Sequence, residues 1–175
     1  MNDHAMTQLP LDLRRSLVEY ARSVAASALG LTKEPSAPGC GDARAGSLVS
    51  LFREGVHCGF LGSLVDRPVA EAVAFAARKA ATDDPRFAPL SCAGDVQVDV
   101  WLVGSMRSVQ GPRDLCPDDG VMIVSGLNRG IYLPGLPGFG GRGVMASACI
   151  AADLHPDAWE RDDVSSWAFV VDKLP

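Results

Sequence analysis

The spacing of apolar residues along the chain predicts three helices. Over residues 11–29, apolar side chains recur every three or four positions, which places them on one face of a helix. A second stripe follows Asp66, a candidate N-cap, with Pro68 in its first turn. This helix should end before Pro85, because the residue before a proline disfavours helical angles. Residues 144–152 predict a third, short helix.

Alternating or short apolar runs predict six strands, at residues 47–52, 56–61, 96–103, 121–124, 131–133 and 167–171. Glu54-Gly55 should turn the first two strands into a hairpin, and residues 126–130 should join the fourth and fifth. Strands joined by tight turns, with helices grouped between them, predict an α+β fold with a mainly antiparallel sheet flanked by helices.

Length and composition favour one globular domain over residues 1–175, with residues 1–10 as a flexible terminus. Apolar residues make up 47% of the chain and charged residues 21%, which excludes disorder of the polar, highly charged kind. The formal net charge of −5 argues against a nucleic-acid interface, which needs a basic face, and against docking on anionic lipid.

The start of the chain lacks the basic and apolar regions of a signal peptide, and no apolar run is long enough to cross a membrane. We therefore expect a cytoplasmic protein without membrane contact. An odd number of cysteines with no C-x-x-C pair indicates neither a disulfide framework nor a zinc ribbon. The five are Cys40, Cys58, Cys92, Cys116 and Cys149.

The segment around Cys58 gives the strongest local indication of a site. Gly59 and Gly62 carry no side chains, so another backbone or a ligand can approach this strand closely. A cysteine nucleophile needs a positive charge, a base or helix N-terminal amides to stabilise its thiolate. The alternative is a buried, inert thiol, because free cysteine is among the residue types most often buried.

A second candidate is the loop that begins Asp84-Pro85-Arg86-Phe87. Its prolines pre-set the backbone, so the loop can hold Arg86 in one pose, where a guanidinium binds a carboxylate or phosphate through two hydrogen bonds. The alternative is a structural bridge from Asp84 to Arg86 that fastens the loop to the sheet. The sequence leaves both open.

Other motifs carry less weight. Residues 138–143 fit G-x-G-x-x-G, but no strand leads directly into them, which favours a surface loop over a dinucleotide site. His57 and Cys58 are the one neighbouring His/Cys pair, so no metal site and no cofactor is predicted. Arg129, in a hairpin loop, is by default a solvated turn residue. A G-x-S-x-G elbow is absent.

Taken in order from Ser16 to Asp172, the motifs resemble the AMMECR domain family, whose prokaryotic members include protein A of the AmmeMemoRadiSam system. Residues 43–60 resemble its first hairpin, which leads into the hallmark L-R-G-C-I-G. The most specific resemblance is that of residues 84–90 to the family's D-P-R-F-x-P-L segment. Further segments resemble its helix start, its later strands and its P-x-A-W element, at residues 67–71, 98–102, 119–124, 129–134 and 155–159.

The hallmark is substituted in this chain. Aligned on its glycines, Phe60 stands where the family has cysteine, and Cys58 where it has arginine. Residues two apart in a regular strand point the same way, so Cys58 is expected on the face that the family's cysteine uses. The resemblance implies a main lobe, a smaller lobe and a cleft between them, near the hallmark and the D-P-R-F loop.

Two functions remain open. The first is an enzyme, or accessory enzyme of a modification or biosynthetic pathway, with Cys58 as nucleophile and His57 or His155 as base. Arg86, oriented by Asp84, would hold an anionic group. The second is a noncatalytic regulatory or scaffold module that binds a small molecule or a partner protein in the cleft. The family's association implies a Memo-like or radical SAM protein as partner. The further candidate substrate-binding residues are Gly59, Phe60, Gly62, Phe87 and Arg129.

Overall fold

A computed structural model describes residues 9–87, 96–134 and 140–175. These residues contain three α-helices: α1 (Leu11–Ala28), α2 (Val69–Thr82) and α3 (Gly141–Ala151). Six strands form one sheet in the order β2-β1-β3-β6-β4-β5. Their bounds are β1 Arg44–Arg53, β2 Val56–Pro68, β3 Val96–Ser108, β4 Asp119–Ser125, β5 Asn128–Tyr132 and β6 Ser165–Lys173. The predicted α+β class with an antiparallel sheet and flanking helices is confirmed.

The chain divides into two compact units. The larger comprises residues 1–104 and 172–175, and the smaller comprises residues 105–171. In the larger unit, β1 pairs antiparallel with both β2 and β3, and its residues from Ala45 to Leu51 are all buried. Helix α2 packs on β1 and β2, and α1 packs on α2. The α1 side chains that face inward are Leu17, Ala21, Val24 and Ala25.

In the smaller unit, β4 pairs antiparallel with β5 and β6, and α3 packs on β4 and β5. The core contains Val121, Ile123 and Tyr132 from the strands and Met145 from the helix. Gly130 permits this close contact, since a Cβ there would lie 2.1 Å from the Ala148 carbonyl oxygen.

Most predicted elements are confirmed, with different ends. The strands are longer than predicted, and α3 begins three residues earlier, at Gly141. The proposed cap was wrong: Asp66 lies in β2, where it accepts a hydrogen bond from Arg44 Nε at 3.0 Å. Helix α2 instead follows Pro68 directly, and no side chain caps it. The loop at 126–130 is shorter than predicted, because Ser125 already pairs with Asn128.

Candidate functional site

A β-bulge interrupts the hairpin at the substituted hallmark. Leu51 pairs with Gly59, and the next residue of β1, Phe52, pairs with His57. Cys58 is therefore an extra residue in β2, without a partner in the register of β1. Directly paired residues share a face of the sheet, so His57 lies on the face of Phe52.

The bulge changes which hallmark residue lies beside Phe60. Phe60 pairs with Ser50, and Ser50 and Phe52 are two residues apart, so Phe60 lies on the same face as His57. The expectation that Cys58 shares the face of Phe60 assumed that side chains alternate regularly between the two faces of β2. The extra residue at the bulge interrupts this alternation, so the expectation no longer follows. His57, which sequence analysis assigned as a base, is the neighbour of Phe60 instead.

Protein backbone occupies the space beside both hallmark glycines. A Cβ on Gly59 would lie 2.3 Å from the Ala80 carbonyl oxygen of α2. A Cβ on Gly62 would lie 2.1 Å from the Ser47 carbonyl oxygen of β1. Sequence analysis left a backbone or a ligand as the reason for these glycines, and the close contacts identify a backbone at both positions.

Asp84 and Arg86 hold the outer edge of β2 at Phe60. The Phe60 N–H donates to Asp84 Oδ2 at 2.8 Å, and Arg86 Nη2 donates to the Phe60 carbonyl at 2.8 Å. The backbone N–H and Nε of Arg86 donate to Asp84 Oδ1 at 3.1 and 3.0 Å, and its Nη2 donates to Oδ2 at 2.8 Å. Because β2 is an end strand, this ion pair takes the place of a neighbouring strand.

The side chains of Asp84 and Arg86 differ in their exposure to solvent. The Asp84 side chain is 2% exposed and that of Arg86 is 56% exposed. Burial alone would raise the pKa of Asp84, but the hydrogen bonds from Arg86 and from the Phe60 N–H outweigh it, so the pKa is lowered and the carboxylate stays charged. The bridge fastens the loop to the sheet, as one of the two interpretations predicted, and leaves the guanidinium at the surface.

Aromatic side chains gather on the same face of the larger unit; Phe52, His57, Phe60, Phe87 and Trp101 are called the ring cluster below. His57 is central: its ring centroid lies 5.1 Å from that of Phe52, 6.3 Å from Phe60 and 5.2 Å from Phe87. The rings of Phe60 and Trp101 meet edge-on at 6.5 Å. All except the buried Trp101 are half-buried.

The Arg86 guanidinium lies over two rings of this cluster, 5.8 Å from the Phe60 centroid and 5.6 Å from that of Phe87. Such placement is favourable, because the faces of aromatic rings attract cations. The structure therefore brings together five predicted site residues, which are His57, Phe60, Asp84, Arg86 and Phe87.

The setting of His57 lowers the pKa of its ring. Burial, and then the positive charge of Arg86, lower its pKa, while a hydrogen bond with the Gly59 backbone and the charge of Asp84 act in the opposite direction. Its Nε2 atom is buried and has no hydrogen-bond partner among the described residues. A neutral ring that packs against two phenyl rings suits a surface for apolar or aromatic groups.

The environment of Cys58 does not favour a nucleophile. Burial raises the pKa of this half-buried thiol, and the opposing charge comes from Arg53. A raised pKa keeps the thiol protonated near neutral pH, whereas a nucleophile needs the thiolate. The contacts of Arg86 are with Asp84, Phe60 and Phe87.

Two further candidates belong to the smaller unit. Arg129 is an exposed residue of β5, opposite Val124 in the β4–β5 hairpin. His155 is exposed, and its Nδ1 atom accepts a hydrogen bond from the Asp157 N–H at 3.3 Å.

The remaining candidate residues form no metal site or second cysteine site among the described residues. Within the described ranges, no group of three His, Cys, Asp or Glu residues is arranged to hold a metal ion. Cys40 is half-buried, Cys116 exposed and Cys149 buried, and Cys92 lies outside the described residues. So do residues 88–90 of the proline loop and residues 138–139 of the glycine motif. No helix in the described part of the chain is both long and apolar enough to cross a membrane.

Sequence reasoning missed Phe52 and Trp101 as members of the cluster. The sequence placed Phe52 and Trp101 only within predicted strands, at residues 47–52 and 96–103. The pairs Phe52–His57 and Leu48–Trp101 place them on this face, but the bulge had to be known before the register could be read.

Comparison with known proteins identifies a family over nearly the whole chain. The family model of AMMECR1 matches residues 18–174. A protein of Thermococcus onnurineus is 32% identical over 116 residues, which cover 60% of this chain and 57% of that relative. Protein TK0174 of Thermococcus kodakarensis matches with the same identity and coverage. These matches thus span little more than half the length of the two relatives.

A solved structure is similar over a larger share. The crystal structure of the uncharacterized protein PH0010 from Pyrococcus horikoshii superposes with a TM-score of 0.77 at 27% identity. The superposition covers 93% of this chain and 90% of that one.

Proposed function

We propose that this chain, which belongs to the AMMECR1 family, is a noncatalytic module that binds a small molecule through a flat ring seated on the ring cluster. The observation that carries the proposal is the cluster itself. His57 lies within 5.2 Å of the centroids of both Phe52 and Phe87, and all three rings are half-buried.

Aromatic pairs at such separations contribute about 0.5–1.5 kcal/mol beyond the area that they bury. A ligand ring placed against His57, Phe60 and Phe87 gains several such contacts at little conformational cost. The partners are already ordered, since the Asp84–Arg86 pair holds the backbone of Phe60 from the outer edge. Preorganisation of this kind is typical of ligand sites.

The state of Cys58 supports binding rather than catalysis. Its raised pKa and its place in the bulge leave it without the activation that thiol chemistry requires. The hallmark position that is cysteine in the family is the ring of Phe60 here, which adds contact area and removes a nucleophile.

Indole, a neutral flat ring, serves as the probe. In a two-dimensional NMR titration, indole should shift resonances of the ring cluster in a saturable way, and Phe87→Ala should weaken this binding about tenfold or more. Phe75→Ala is the matched control. Phe75 is also half-buried and also lies under an arginine, with Arg67 4.7 Å from its centroid, but it belongs to α2 outside the cluster. The control should bind indole as the wild type does.

A partner protein is the other occupant that the sequence allows. If indole causes no saturable shift, the proposed ligand class is wrong. A complex with a purified Memo-like or radical SAM protein that Phe87→Ala abolishes and Phe75→Ala preserves would then assign the face to a protein partner.

A further inference from the structure

The geometry around Arg86 points to a carboxylate on the ligand of the ring cluster, and we infer that Arg86 binds it through Nη1. The inference rests on the proposed binding function and adds the chemical class of the ligand. It uses a part of Arg86 that the structural bridge leaves unused.

The side-chain hydrogen bonds of Arg86 come from two of its three nitrogen atoms, Nε and Nη2. Nε donates to Asp84, and Nη2 donates to Asp84 and to the Phe60 carbonyl. A guanidinium carries five N–H groups, so these bonds use the three on Nε and Nη2. Within the described residues Nη1 donates no hydrogen bond, and the side chain is 56% exposed. Among the described residues, two donors of a charged group are therefore not used by the bridge and can serve a ligand.

Arg86 is also held in a fixed pose, which lowers the cost of binding. Its Nε and Nη2 both bond to the Asp84 carboxylate, whose side chain is 2% exposed and receives the Phe60 N–H as well. A surface arginine normally loses side-chain entropy when it captures an anion. Here folding has already ordered the side chain, so an anion at Nη1 meets a preorganised donor.

The charges at this surface favour a monoanion. Asp84 and Arg86 compensate each other, and the lowered pKa of His57 leaves its ring neutral near pH 7. A carboxylate brings one negative charge to the two donors of Nη1. A phosphate monoester brings nearly two charges at neutral pH, so beside an arginine already paired with Asp84 it costs more electrostatic repulsion than a carboxylate.

The proposed anion site at Arg86 lies next to the ring cluster. The guanidinium lies 5.8 Å from the Phe60 centroid and 5.6 Å from the Phe87 centroid. Because the guanidinium covers part of these two rings, a ligand ring must contact the parts of the cluster that it leaves open, and such a ring lies beside the guanidinium. The ligand that matches both features is an aromatic ring with a carboxylate on a short linker.

Indole-3-acetate and indole-3-acetamide test this inference because they share ring and shape and differ in charge. Dissociation constants are measured by NMR titration of the intact chain at about pH 7. The wild type should bind the acetate about tenfold more tightly than the amide, since a hydrogen bond between charged groups is about twice as strong as a neutral one.

Arg86→Gln should reduce the acetate-to-amide ratio to about one, and Arg86→Lys, which keeps the charge but not the fork, should leave an intermediate ratio. Arg78→Gln is the matched control. It removes one positive charge from an arginine that pairs with Glu34, and it should keep the wild-type ratio. The wild-type ratio stands as a test by itself if Arg86→Gln fails to fold.

The outcomes separate this inference from the proposed function. Equal binding of acetate and amide would overturn the carboxylate inference and leave the binding module in place. No binding of either indole would overturn the proposed function. Indoxyl phosphate bound as tightly as indole-3-acetate would overturn the choice of a monoanion in favour of a phosphate.

Discussion

Replacing Asp84 with asparagine tests the role that the structure gives to this carboxylate. Its two oxygens accept four hydrogen bonds, one from the Phe60 N–H and three from Arg86. Asparagine keeps one acceptor oxygen and turns an amide NH₂ toward the donors at the other. Two of the four bonds should therefore be lost while the shape of the side chain is preserved.

The expected cost follows from those two bonds. Hydrogen bonds to a charged group contribute about 1.5–3 kcal/mol each, and the lower value applies because Arg86 is exposed and can bind water instead. The free energy of unfolding should fall by about 3 kcal/mol. For a chain of this length, the melting temperature should fall by about 6–12 °C.

The effect should also depend on pH with a defined sign. The pKa of Asp84 in the folded chain lies below its ordinary value of 3.8, so on acidification the unfolded chain takes up this proton first. The stabilisation that Asp84 provides is therefore complete well above its ordinary pKa. It declines as the pH falls through the lower pKa of the folded chain, and the gap between wild type and Asp84→Asn should narrow there.

Urea denaturation, followed by tryptophan fluorescence and circular dichroism from about pH 7 downward, measures both effects. The adjacent Asp83→Asn is the matched control, since it removes the same charge from an exposed side chain that bonds to Lys79 and Thr82. Its denaturation midpoint should stay near that of the wild type. Equal midpoints for Asp84→Asn and Asp83→Asn would refute the assignment of Asp84 as the support of Phe60 and Arg86.

Three further predictions concern the bulged hairpin. Gly59→Ala should lower the free energy of unfolding by about 1–3 kcal/mol, because its Cβ would overlap backbone atoms of α2. Gly39→Ala, which meets nothing within 4 Å, should leave the urea midpoint unchanged, and equal midpoints would contradict the close packing. Iodoacetamide at about pH 7 should modify the exposed Cys116 well before Cys58, whose pKa is raised; mass spectrometry that finds Cys58 modified first would restore the nucleophile hypothesis. The NMR titration midpoint of His57, assigned with His57→Gln, should lie below 6.5, and a higher midpoint would contradict its burial.

The candidate site was predictable in part. The sequence indicated that the segment at 57–62 and the loop at 84–87 belong to one site, because both match elements of one family. The structure brings His57 and Phe60 together with Asp84, Arg86 and Phe87. The assignment of Cys58 as the reacting group stays a prediction, since thiol reactivity depends on burial and neighbouring charges, which residue type and spacing do not specify.

The Asp84–Arg86 pair is compatible with both functions that the sequence allowed for this motif. The sequence allowed either an anion site or a structural bridge. The contacts establish the bridge through Nε and Nη2, and within the described residues they do not use Nη1, so one arginine can serve both purposes. Which nitrogen atoms of a guanidinium are used depends on the groups that lie beside it. Here the neighbouring backbone is that of Phe60 in β2, 24 residues before Asp84 in the sequence.

By itself the sequence determined the α+β class and the order of the helices and strands that the described residues form, because periodicity, prolines and turn residues act within a few positions of the chain. Only the tertiary structure decided which hallmark residue faces the aromatic surface. One extra residue in β2 reverses the alternation of side chains between Gly59 and His57. That bulge is a property of the pairing between two strands, so neither strand specifies it alone.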